Sequence, residues 1–207
     1  MNCLAHLQLA SAHDHSLAGA LLGDFVKGNL ANHTVEQGGN YSTAWIASIQ
    51  FHRQIDTFTD SHPLVTRAKQ RFKPPFRRYA GIIIDLMFDH FLVHDWQTHA
   101  DPPLTVFEQQ CYQQLAHDEP AFPSPARALS QHLRNHQLLS GYGELTIVNR
   151  ALTGVGRRLS RSNPLDRCLP IIEQQVHLKN DFAEFYPQLQ HACARFNSEW
   201  GSAASCA

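Results

Sequence analysis

G-I-I-I-D-L-M-F-D-H-F-L-V, residues Gly81 to Val93, is apolar on every side except at Asp85, Asp89 and His90. A helix that is hydrophobic all round is normally buried. An ionised carboxylate held inside a protein without partners is costly enough that it neutralises, pairs or binds a metal. The stretch therefore predicts a buried central helix, and its two aspartates and one histidine ask for a cation.

The flanking sequence is helical in pattern throughout. Apolar residues start over Asn2 to Leu9 and recur at helical spacing over Ser16 to Val26. Gly28 to Tyr41 reads as a connection. Thr43 to Thr59 predicts a strong helix, with Ser42 as N-cap and Ile46, Ile49, Ile55 and Phe58 on one broad face. Ser61-His62-Pro63 marks a turn or a new helix start, followed by a helix from Leu64 to about Phe72 that Pro74-Pro75 stops. The buried helix spans Tyr79 to Trp96. Further helices are expected over Leu104 to His117, Arg127 to Leu139, Glu144 to Leu159 and Leu165 to about Ala194. Pro120, Pro123 and Pro125 break the chain after the first of these, and Pro187 interrupts the last. No repeat or strand-like alternation occurs. The expectation is an all-α fold, a single compact helical bundle over residues 1–200, with 201–207 as a disordered tail.

Composition narrows the functional classes. The 17 Lys and Arg nearly balance the 18 Asp and Glu, so the net charge of -1 gives no global attraction to nucleic acid or membrane, and neither is expected as a partner. The five cysteines, at Cys3, Cys111, Cys168, Cys193 and Cys206, show no CxxC spacing and read as reduced thiols. The N-terminus has no basic n-region, and no apolar run approaches the roughly 18 residues of a membrane span. A cytoplasmic location is expected.

A second polar constellation lies in F-H-R-Q-I-D-T-F-T-D-S-H-P, Phe51 to Pro63. Each i to i+4 step on a helix rotates by only about 40 degrees, so His52, Asp56 and Asp60 share one arc, as Asp85 and Asp89 do on theirs. Two such helices face to face can present carboxylates and imidazoles to a common point. Asp24, in L-L-G-D-F-V-K-G, could complete it. Ligands rich in Asp favour a hard ion, manganese or magnesium, over zinc or copper. The bland alternatives are an exposed His52–Asp56 pair, Asp60 as a cap and Asp24–Lys27 as a surface pair. The dipeptides His13-Asp14, His94-Asp95 and His117-Asp118 sit in polar stretches or at helix ends and read as solvated decoys.

Four segments in order, M-N-C-L-A-H-L (Met1–Leu7), G-A-L-L-G-D-F-V-K-G (Gly19–Gly28), F-H-R-Q-I-D-T-F-T-D-S-H-P and I-D-L-M-F-D-H-F-L (Ile84–Leu92), resemble the successive motifs of the acyl-carrier-protein phosphodiesterases. Ala20 departs from the motif, where the family carries a polar residue, often Asn. The resemblance implies an enzyme that hydrolyses the phosphodiester joining 4'-phosphopantetheine to the serine of holo acyl carrier protein, giving apo carrier and 4'-phosphopantetheine. It also implies a divalent metal, manganese first with magnesium or ferrous iron as alternatives, and a helical fold remotely similar to the His-Asp metal phosphohydrolases. Carried over by position, Asp24, His52, Asp56, Asp60, Asp85, Asp89 and His90 match the motif polar residues. The division among them is our inference: Asp24, His52, Asp56, Asp85 and Asp89 form the candidate ligand pool, Arg53 is placed to bind a phosphate oxygen, and His6 or His90 to act as general acid. Asp60 is counted with this catalytic group.

Between Ser61 and Ile84 there is no acidic residue, while Arg67, Lys69, Arg71, Lys73, Arg77 and Arg78 supply six of the 17 basic side chains. This block is the expected docking surface for an acidic carrier protein. A second acid-free run, with Arg150, Arg157, Arg158 and Arg161, is an equally good surface. Two other functions fit the residues. One is a His-Asp-type phosphohydrolase of a nucleotide or small phosphodiester. The other is a non-enzymatic metal-binding bundle, for which the Glu-x-x-His pairs such bundles use are missing.

Overall fold

The computed structural model describes residues 1–30, 33 and 40–204, with side chains as far as Phe196. Twelve α-helices account for most of these residues, and no β-strand occurs among them. Gly81 to Val93 lies on α5 (Ala80–His94), where Ile83, Ile84, Met87, Phe88 and Leu92 have almost no exposed surface. Three helices cover α5. α1 (Cys3–Ala12) crosses one side and has eight of its ten residues buried. α12 (Val176–Ala204) covers another, with Phe182 and Phe185 against Phe88 at ring-centroid distances of 5.5 and 5.6 Å. α10 (Leu145–Arg158) packs on the third.

α2 (Leu17–Leu22) and α3 (Thr43–Ser61) form the tightest helix pair. Gly19 permits this, because a Cβ there would stand 2.5 Å from the Ser48 Cβ and 2.7 Å from the Trp45 carbonyl oxygen. Ser42 caps α3 by accepting from the Trp45 amide, as its position predicts. α4 (Pro63–Gln70) starts on the proline, with His62 as its cap. After α6 (Trp96–His99) the chain folds α7 (Leu104–Asp118), α8 (Ser124–Asn135) and α9 (Leu138–Gly141) into a peripheral layer. It then returns through α10 and α11 (Leu169–Ile172) to α12.

Several boundaries differ from expectation for physical reasons. Pro125 does not break the chain but sits in the first turn of α8, where its missing N–H costs nothing. The helix expected over Arg127 to Leu139 is split at Gln137, which adopts a left-handed conformation. The helix expected from Leu165 consists of a 3-10 turn (Leu165–Arg167), α11 and α12. Its breaks precede Val176, and α12 runs through Pro187 without interruption. Burial of Phe182, Phe185, Tyr186, Leu189 and Cys193 on both sides of the proline outweighs the lost hydrogen bond. α12 continues to Ala204, and residues 205–207 lie outside the described residues, as does most of the expected connection from Gly28 to Tyr41. Cys3, Cys111, Cys168 and Cys193 are free and buried, while Cys206 falls among the residues not described. No helix among the described residues is long and apolar enough to cross a membrane.

Candidate metal centre

His52 lies at mid-helix on α3 and is buried. Gly23, which caps the C-terminus of α2, lies so close to it that a Cβ at that position would fall on the imidazole ring. The His52 Nδ1 stands 2.8 Å from the Ala20 carbonyl oxygen. A carbonyl only accepts, so Nδ1 carries the proton and, in the neutral ring, Nε2 is a bare lone pair. That lone pair faces Asp56 Oδ2 at 3.2 Å and Asp24 Oδ1 at 3.7 Å, yet Nε2 makes no aligned hydrogen bond. The bond at the Ala20 position comes from the backbone, so the departure from the motif there does not affect it.

His6 reaches the same point from α1. Its ring stacks on that of His52 with centroids 3.7 Å apart, and its Nε2 lies 3.1 Å from Asp56 Oδ1. Burial, reinforced by the neighbouring His52, lowers the His6 pKa to about 3, so the ring is neutral at pH 7. Burial presses the Asp56 carboxyl upward, yet it is held below the usual carboxylate range in this imidazole-lined pocket, where His6 Nε2 stands at its Oδ1. His6, His52 and Asp56 each offer a ligand atom within 4.8 Å of the others'. A neutral His6 imidazole and an ionised Asp56 carboxylate are protonation states that suit a divalent metal, and a carbonyl fixing the far nitrogen of a histidine, as Ala20 does for His52, is the usual support of a metal ligand. The imidazoles form a buried floor. Asp56 and Asp24, with 43% and 58% of their side chains exposed, form an open rim.

The aspartates of α5 divide. Asp85 stands at the rim, where its Oδ1 accepts from the Met1 amine at 3.1 Å, and the same amine lies 4.0 Å from Asp56. Asp89 is wholly buried and accepts from the backbone N–H groups of Leu4 at 2.8 Å and Ala5 at 3.2 Å. Its cation is the positive end of α1, and it lies outside the cluster of three. Burial raises its pKa to about 7, against the two amide bonds.

The sequence profile described as "Acyl carrier protein phosphodiesterase" matches residues 1–189. The chain belongs to the acyl carrier protein phosphodiesterase family. Relatives carrying that name include one from Serratia proteamaculans (strain 568), 36% identical over 192 residues, which are 91% of this chain and 95% of the relative. One from Klebsiella pneumoniae (strain 342) is 37% identical over 191 residues, 91% and 95% of the two chains, and one from Salmonella paratyphi A is 36% identical over 197 residues, 94% and 98%. No solved structure matches. The family match extends well past the four N-terminal motifs, into α12.

The other residues singled out in this phosphodiesterase-family chain lie away from the cluster or are occupied. Arg53 donates from Nη2 to the Val26 carbonyl at 2.8 Å, tying α3 to the turn that carries Asp24. Asp60 is exposed and pairs with Lys69 at 2.9 Å. The His90 Nδ1 donates to the Tyr142 carbonyl at 2.9 Å, and its ring packs on His94 and Phe91. Within the basic block, Arg67 and Arg71 both bind Asp181, a fully buried carboxylate on α12, at distances down to 2.7 Å, and Arg67 also pairs with Glu184. Burial would raise the Asp181 pKa, but the two guanidinia hold it below its ordinary value. Lys73, Arg77 and Arg78 remain exposed. Asp181 escaped the sequence reading, although two arginines at i and i+4 in an acid-free run already call for a carboxylate from elsewhere. The His-Asp dipeptides take no part in the cluster: His94 bonds the Gly143 carbonyl, and Asp95 pairs with Lys179.

Proposed function

We propose that the protein is a divalent-metal phosphodiesterase that hydrolyses holo acyl carrier protein to apo carrier and 4'-phosphopantetheine. The observation that carries the metal requirement is the bare, buried Nε2 of His52 facing two carboxylates. His6, His52 and Asp56 would hold the ion, with Asp24 and Asp85 at the rim, and manganese suits this Asp-rich, oxygen-containing set. A bound divalent ion supplies Lewis-acid polarisation of the phosphoryl group and lowers the pKa of water toward neutrality.

The chain's own residues do the rest. The Ala20 carbonyl fixes the His52 tautomer, and Asp89 fixes the end of α1 that carries His6. Arg53, anchored at Val26, has further N–H groups with which to meet a phosphate oxygen. In the reaction a water oxygen bonds to phosphorus, the bond from phosphorus to the serine oxygen breaks, and that oxygen gains a proton. His6, neutral at pH 7, suits ligation rather than that proton transfer, and His90 is committed to Tyr142. The substrate follows from family membership, and a cytoplasmic location fits four buried free thiols.

The test is mass spectrometry of holo carrier incubated with metal-stripped protein, with and without added manganese. Loss of the phosphopantetheine mass only with metal is the expected result. Turnover of a nucleotide or small phosphodiester but not of holo carrier would favour the broader phosphohydrolase reading. Full activity of Asp24→Ala and Asp85→Ala variants would remove those two residues from the site.

A further inference from the structure

The two acid-free basic runs, far apart in sequence, meet in the fold. Arg77 and Arg78 lie exposed on the 3-10 turn Phe76–Tyr79, and Lys73 is exposed just before it. The Tyr79 hydroxyl donates to the Ser162 carbonyl at 3.4 Å. This bond sets the C-terminal end of α10, with exposed Arg157 and Arg158 and the following Arg161, beside that turn. No acidic residue occurs from Ser61 to Ile84 or from Leu145 to Leu165. None of these six cations enters an ion pair among the described residues, and Asp166, which follows the second run, is paired with Arg167.

Apolar surface lies among the charges. Leu159, which directly follows Arg158, is 37% exposed. A cleft of about 290 Å³, floored by Phe72, Phe76 and Ile171, opens beside Lys73, and α11, which carries Ile171, packs on α10. Exposed apolar groups ringed by unpaired cations fit a partner that is acidic and presents a few apolar side chains.

We infer that this composite face, rather than the 61–84 block alone, docks the carrier protein; the inference rests on the proposed reaction. Arg67, Lys69 and Arg71 are excluded from it, because Asp181, Asp60 and Glu184 already neutralise them. The face adjoins the start of α5, and Ala80 to Asp85 spans about 7.5 Å of helix axis. A carrier seated there has its prosthetic arm directed along α5 toward the carboxylate rim.

The experiment compares Arg77→Glu/Arg78→Glu and Arg157→Glu/Arg158→Glu with wild type, and uses as the charge-reversal control Lys179→Glu, on α12, where it meets Asp95 past the far end of α5. Steady-state hydrolysis of holo carrier is measured at low and high salt, and binding of apo carrier by calorimetry. Each double variant is expected to raise KM and weaken apo-carrier binding about tenfold or more at low salt, with kcat retained and the difference shrinking at high salt. Lys179→Glu is expected to match wild type. If either double variant keeps KM and binding within about twofold of wild type, the composite face is refuted. If wild type binds apo carrier through these arginines but does not hydrolyse holo carrier, the docking face stands and the proposed reaction falls.

Discussion

Replacing Asp89 by Asn keeps the size of a fully buried side chain but removes its titration. The wild-type carboxyl is pushed by burial from an ordinary 3.8 to about 7. Between about pH 4 and pH 7 the folded chain therefore retains a proton that the unfolded chain has released, and stability from this group falls as pH rises. The contribution is fully present below the ordinary pKa and gone above the folded one. At about 1.4 kcal/mol per pH unit, the gap amounts to about 4 kcal/mol. His6 acts in the opposite sense. Its pKa falls from 6.5 to about 3 on burial, so its contribution is lost as pH drops through that window. The two slopes offset each other in wild type, and the informative quantity is the difference between wild type and Asp89→Asn. Urea unfolding of the metal-free proteins at steps from pH 4 to pH 8 measures it. Wild-type stability relative to the variant is expected to fall by about 4 kcal/mol over that range. A difference constant to within about 1 kcal/mol would refute a titrating carboxyl beneath the end of α1.

Three further outcomes are expected. His52→Ala should abolish tight manganese binding in calorimetry while the helical circular dichroism is retained; unchanged affinity would remove His52 from the centre. Gly23→Ala should lower metal affinity and turnover by about tenfold or more, since its Cβ must displace the His52 ring; crystallography of an active variant with an unmoved ring would contradict this. Arg71→Ala should cost about 1.5–3 kcal/mol in denaturant unfolding, the worth of hydrogen bonds to the charged Asp181, without a charge-dependent rise in KM for holo carrier.

The fold class and the central helix are legible in the sequence because burial on all faces leaves a compositional mark that no surface helix carries. The cation for Asp89 is not, because it is a pair of backbone amides, and amides have no residue signature. They also lie up to 85 positions away. His6 was legible as a candidate general acid, but its place beside His52 and Asp56 depends on α1 crossing α3, and no local spacing encodes that crossing. Asp56 and His52 were legible as an i,i+4 pair on one helical arc. The basic block misled in part, since local charge counting cannot register that Asp181, more than a hundred residues on, neutralises Arg67 and Arg71. Pro187 misled for a related reason: the penalty of proline in a helix is local, while the packing that overrides it is tertiary.

α1 is held at both of the points that matter to the centre: Asp89 grips its first turn, and His6 reaches from its second residue pair to Asp56. On the proposed metal site, occupancy of the centre and closure of that first turn would be linked. The Leu4 and Ala5 amide protons become reporters of that occupancy, and their hydrogen–deuterium exchange should slow when metal binds at His6 and quicken under a chelator. A solvent-isotope measurement at two backbone positions can thereby read the loading of a site whose own ligands carry no chromophore.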